Sequence, residues 1–152
     1  MRKVMALLMA AVILLAAGCA PAETVQLPES RYAVTLPEGM VYDGPTPDTE
    51  EAFAYVSEEL KLEVHFFRCD AGTTGAVAEA LAKGAEEITP VSVNGTDMIA
   101  FRYPQQEDGW KAAGYILRDG EAAQVILFWY GSDEAAEMTK TIMESIGETE
   151  TV

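Results

Sequence analysis

Ala122-Ala-Gln-Val-Ile-Leu-Phe-Trp-Tyr130 is the most apolar run of the chain beyond its N-terminal segment, and it contains no charge. Its β-branched and aromatic content predicts a strand. Side chains along a strand alternate between two faces. Val125, Leu127 and Trp129 therefore share one face, and Ile126, Phe128 and Tyr130 share the other. A strand that is apolar on both faces needs cover on both, which predicts a central position between two layers.

The neighbouring segments extend this reading in both directions. Asp119-Gly120 is a hairpin signal that joins the run to a strand over Ala112–Arg118. Asn94-Gly95 joins a strand over Thr89–Val93 to one over Met98–Tyr103, and the polar Gln105–Gly109 stretch reads as a loop. Upstream, Phe53–Ser57 and Lys61–Phe67 read as a strand pair, and Met40–Tyr42 as a short strand. Arg31–Leu36 alternates and stops at Pro37-Glu-Gly39, a strand followed by a turn, whereas Asp43–Thr49 has a loop composition. Two helices are expected. One runs from Thr73 to about Glu87, with Val77, Ala80, Leu81, Gly84 and Ala85 on one face. The other is capped by Ser132 and buries Ala135, Met138, Ile142 and Ile146, with Gly147 at its C-terminal cap.

This order predicts an α+β fold in which a mainly antiparallel sheet of about six strands is sandwiched by helices. Tyr32-Ala-Val-Thr-Leu-Pro-Glu-Gly39, the Val93-Asn-Gly95 hairpin and the closing helix ending at Met143-Glu-Ser-Ile146 resemble the Mog1/PsbP-like α/β/α sandwich group over roughly residues 30–147. That resemblance implies a non-catalytic accessory or binding protein, a class that includes small bacterial lipoproteins.

The N-terminus carries an address. Arg2 and Lys3 precede Val4–Ala17, an uncharged apolar stretch of 14 residues. As a helix it spans about 21 Å at ~1.5 Å per residue, short of the ~30 Å bilayer core, so it reads as a signal-peptide h-region. Leu15-Ala-Ala-Gly-Cys19 resembles the lipobox of bacterial lipoproteins. The resemblance implies cleavage between Gly18 and Cys19 and a diacylglyceryl thioether on Cys19, with two acyl chains (palmitate or similar) sufficient for stable anchoring. The expected organisation is a signal peptide over 1–18, a lipidated tether over 19–30, one domain over 31–147 and a frayed tail over 148–152. The expected location is the extracytoplasmic side of the cell membrane.

Charge narrows the partners. The formal net charge is −15, and removal of Arg2 and Lys3 makes it more negative still. Such a chain is repelled by nucleic acid and by anionic headgroups, so no nucleic-acid partner is expected and the acyl chains alone must hold the membrane. With Cys19 lipidated, Cys69 has no intramolecular partner and reads as a small buried hydrophobe at a strand end.

Candidate sites are few. His65 is the single histidine, flanked on its strand face by Glu63 and Phe67, and Glu63 could orient it against a ligand. No Gly-x-Ser-x-Gly elbow occurs, and catalysis is not expected. Acidic clusters such as Asp48-Glu50-Glu51 and Asp133-Glu134-Glu137 lack the spacing of a calcium loop, so neither metal nor cofactor is expected. Gly72-Thr-Thr-Gly75 reads as a capping turn. Trp110, beside the Gln105–Gly109 loop, and Tyr42, beside the proline-rich loop, are aromatics of the kind found where partners dock. The functional expectation is a lipid-anchored binding or accessory protein of the bacterial envelope. Its partner would be an envelope protein or a small ligand, and the alternatives are a ligand-binding lipoprotein serving a transporter and an envelope enzyme.

Overall fold

The computed structural model describes residues 21–45, 52–70 and 83–149. Ten strands and one helix follow in order: β1 (Glu23–Gln26), β2 (Tyr32–Leu36), β3 (Val41–Pro45), β4 (Ala52–Ser57), β5 (Leu62–Cys69), β6 (Glu87–Val93), β7 (Thr96–Arg102), β8 (Lys111–Asp119), β9 (Ala122–Tyr130), α1 (Asp133–Glu144) and β10 (Gly147–Glu148). Seven strands form one sheet in the order β3-β4-β5-β9-β8-β7-β6, and three form another in the order β1-β2-β10. All ladders are antiparallel. The apolar run at 122–130 is the middle strand of the larger sheet.

The helix-sandwiched arrangement expected from the sequence is not what forms. The described residues hold a single helix and build a mostly antiparallel two-sheet structure. The reason lies at the two ends of the domain. Val25, Leu27, Tyr32, Val34 and Leu36 are buried in one core with Leu62, Phe66, Ile126 and Phe128 of the large sheet and Ile142 and Met143 of α1. The stretch read as a tether therefore enters the fold as β1. Gln26 and Ala33, like Glu23 and Leu36, are cross-strand partners. The stretch read as a frayed tail enters too, because Gly147 and Glu148 pair with Ala33 and Tyr32, and Thr149 Oγ1 donates to the Arg31 carbonyl at 2.8 Å. The expected helix over 73–87 lies outside the described residues up to Ala82, and Glu87 already belongs to β6. The cysteine and glycine of the lipobox and the loop residues 46–51 also lie outside them.

Register assigns the two faces of the large sheet. Leu62, Val64 and Phe66 oppose Tyr130, Phe128 and Ile126 on the face that meets β1, β2 and α1. Glu63, His65 and Phe67 lie on the reverse face with Trp129, Leu127 and Val125. On that reverse face Gly114 is opposite Phe101, and the phenyl ring lies across the place where a side chain would begin.

The Asn94-Gly95 turn also acts at a distance. Both residues have positive φ (50° and 76°), the requirement of the tight hairpin. The Asn94 amide nitrogen donates to the carbonyls of Glu144 and Ile146, the latter at 3.1 Å, and so ties the hairpin tip to the end of α1. Asn94→Gly keeps the turn and removes the tie. With about 1 kcal/mol per hydrogen bond, the variant is expected to lose about 1–2 kcal/mol in denaturant melts. Amide exchange should rise selectively in the last turn of α1; unchanged exchange there would refute the tie.

One edge strand of the large sheet is blunted by sequence. The two-residue turn makes Val93 and Thr96 a bonded pair, so alternate residues Val91 and Thr89 also bond to β7. Pro90 falls between them, where the backbone nitrogen faces outward and no N–H is needed.

Candidate functional site

A cleft of about 550 Å³ opens on the core-facing side of the large sheet, between β6–β8 and α1. Its existence follows from residue size. Ala100, Ala113 and Ala136 line it, leaving a hollow between β7, β8 and α1 that larger side chains would fill. Tyr115 and Tyr130 stand beside them, and Phe128 supports Tyr115 edge-on at 6.1 Å between ring centroids.

Three cations reach this cleft from three elements: Arg102 from β7, Lys111 from β8 and Lys140 from α1. Register places Lys111 directly opposite Tyr130, and Arg102 opposite Ala113. Arg102 is paired with Glu87, and Lys140 Nζ lies 2.9 Å from Glu137 Oε1. Hydrogen bonds to these carboxylates raise the pKa of the guanidinium and of the ammonium, which keeps both firmly charged. Thr89 and Thr139 add hydroxyls, and Ser132 caps α1 at the rim by accepting from the Ala135 N–H at 3.0 Å.

Burial raises the Tyr115 phenol above its ordinary value, with Lys140 and Arg102 pulling weakly the other way. A phenol raised in the folded state contributes stability that is intact below the unfolded value of about 10 and lost as pH rises past it. Fold stability is therefore expected to fall between about pH 9 and about pH 11, and less steeply in Tyr115→Phe. Parallel denaturant midpoints at the two pH values check this, and identical slopes for the two proteins would contradict it.

The residues singled out in the sequence do not converge. Trp110 is half-buried at one end of the cleft. A side chain added to Gly131, which lines the cleft, would meet its indole at 3.1 Å. The loop before it is held by the Gln106 N–H to the Trp110 carbonyl (2.7 Å) and the Trp110 N–H to Asp108 (3.0 Å). Tyr42 is 54% exposed on edge strand β3, where it packs edge-on against Tyr55 at 5.4 Å. Glu63 and His65 sit on the reverse face, 3.3 Å apart, with His65 stacked on Phe67. Cys69 is half-buried at the end of β5, and among the described residues no group of three or more potential ligands could hold a metal ion. Arg102, Lys111, Lys140 and Tyr115 were not recognisable as a group without the register. What the sequence offered was only the scarcity of cations, ten in the chain against 25 acidic residues.

No protein-family model matches the chain, and no curated protein matches it. Solved structures do. A Bacteroides thetaiotaomicron VPI-5482 protein, known from a crystal structure at 1.50 Å resolution, superposes with a TM-score of 0.61 at 12% identity. The match covers 86% of this chain and 50% of that one, so the chain spans half the length of that protein. Cyanobacterial PsbP (CyanoP) from Synechocystis sp. PCC 6803 superposes with a TM-score of 0.58 at 7% identity, over 84% of this chain and 92% of that one. The class is thus a two-sheet antiparallel domain with a helix laid beside the smaller sheet. More narrowly, the domain is PsbP-like in fold.

Proposed function

We propose that the chain is a lipid-anchored, extracytoplasmic binding protein of a bacterial envelope whose ligand occupies the cleft between α1 and β6–β8. The cleft carries this reading: about 550 Å³ falls in the range of small-molecule sites, and charged and hydroxyl groups from separate elements converge on it. The lipobox resemblance at Leu15–Cys19 supplies the anchor and the location. Because β1 starts at Glu23, only a few residues separate it from Cys19, at most ~3.6 Å each. The domain therefore rides within about 15 Å of the acylated cysteine. A small ligand is favoured over a wide protein surface, because the convergent groups lie inside the cleft. Trp110 at its end supports the second reading, an envelope protein docked across the opening.

The test uses the full chain expressed in a bacterium fed an alkyne analogue of palmitate. Label and membrane retention are expected in the native chain and lost in Cys19→Ser. Crosslinking from intact cells, read by mass spectrometry, then separates the two forms of binding. A stoichiometric protein lost in Trp110→Ala favours the docked partner, and its absence favours the small ligand. An unlabelled, cytosolic chain would overturn the proposal.

A further inference from the structure

We infer that the cleft binds a small organic anion through a carboxylate, with Lys111, Lys140 and Arg102 as its counter-charges. This deepens, and rests on, the reading of the cleft as the ligand site.

The charge distribution carries the inference. In a chain of formal net charge −15, three of the ten cations line one hollow, and they come from two strands and a helix. Two of them pair with carboxylates at the surface, Arg102 with Glu87 and Lys140 with Glu137. Lys111 has no ion pair among the described residues and is the cation with charge to spare. The hydroxyls of Thr89 and Tyr115 supply neutral donors to the remaining lone pairs of a carboxylate, whereas that of Thr139 already donates to the Ala136 carbonyl at 2.7 Å.

The acidic surroundings set the size of the anion. Beyond about 8–10 Å salt screens charge, so a small anion inside the cleft feels mainly the charges that line it, Lys111, Lys140 and Arg102 set against Glu87 and Asp133. A polyanion would lay most of its length over the acidic exterior and be repelled. Asp133 also lines the cleft, so an amino group beside the carboxylate finds a partner there. The probes must therefore separate a plain dicarboxylate from an amino acid.

The experiment titrates the full-length chain, in mild detergent micelles, with succinate, glutamate, inorganic phosphate and uncharged glucose, by calorimetry and by amide NMR shifts. Succinate or glutamate is expected to bind with a Kd of roughly 1 mM or tighter and to shift Ala113, Ala136 and Lys140. Lys111→Gln and Lys140→Gln should each weaken binding about tenfold, equivalent to 1.4 kcal/mol, while Arg118→Gln on the reverse face should leave it unchanged. Glutamate bound more tightly than succinate, with the difference lost in Asp133→Asn, assigns the amino-acid form. If phosphate alone binds, or if Arg118→Gln weakens binding as much as the cleft variants, the carboxylate assignment fails. Glucose shifting the cleft amides without either carboxylate doing so overturns the anion class but leaves the cleft as the ligand site. If no probe shifts a cleft amide, both readings fall.

Discussion

Gly114→Ala is expected to lower the melting temperature by a few degrees although it adds one methyl group. A Cβ at that position would lie 2.2 Å from Phe101 Cζ and 2.7 and 2.8 Å from Cε2 and Cε1. Phe101 is buried, and its ring packs edge-on against Tyr103 at 5.6 Å, so it cannot swing aside without uncovering apolar surface. Overpacking of this kind costs about 1–3 kcal/mol, more than the roughly 0.5–1 kcal/mol gained by replacing a strand glycine with alanine. At about 2–4 °C per kcal/mol for a chain of this size, a net loss of about 1 kcal/mol is a fall of about 2–4 °C. The double variant Gly114→Ala/Phe101→Leu decides the cause. Relief of the clash makes it more stable than the sum of the single effects, whereas plain additivity would assign the loss to something other than the ring.

A larger effect is expected from Phe128→Ala. Phe128 is fully buried in the middle strand, opposite Val64 on one side and Ala113 on the other, and its ring supports Tyr115. Truncating a core phenylalanine costs about 3–5 kcal/mol, a large part of the roughly 5–15 kcal/mol that holds a domain together. Calorimetry should show a fall of about 6–20 °C, or the protein should fail to accumulate. Ile88→Thr is the contrast: that side chain is 52% exposed on β6, and its replacement should stay within about 0.5 kcal/mol. Equal losses for the two variants would mean that the central strand is not the main source of stability.

Much of the large sheet was legible in the chain because its signals are local. Asn94-Gly95 and Asp119-Gly120 mark turns that the structure uses, and the alternation over 62–67 tracks the buried and half-buried sides of β5. Of the small sheet, the middle strand β2 was legible in the alternation of Arg31–Leu36, and its two partners were not. β1 buries only Val25 of its four residues, and β10 is a two-residue strand with both residues exposed, so neither carries a hydrophobic pattern. Backbone pairing to β2 holds them, and for β10 that pairing joins segments more than 100 residues apart, which leaves no local trace. Reading β1 as part of a tether and β10 as part of a tail left the second sheet out of the expected fold. The site failed to emerge for a related reason. Tyr42, Glu63, His65 and Trp110 stood out by residue type, yet register sends Glu63 and His65 to the reverse face and Tyr42 to an edge. Arg102, Lys111 and Lys140 stand out only once the strands are in register and α1 lies across them.

Pro90 has a further effect on how copies of this protein behave together. A row of unpaired backbone groups is a template on which another strand can nucleate, and growth along it needs an uninterrupted ladder. At β6 the ladder would break in its middle, where the proline offers no hydrogen to an incoming carbonyl. The native molecule thus carries a gatekeeper against fibrillar stacking at that edge, and the safeguard acts without any loosening of the fold. It matters most where chains are crowded, because the rate of nucleation rises with local density while the missing donor stays missing at every concentration.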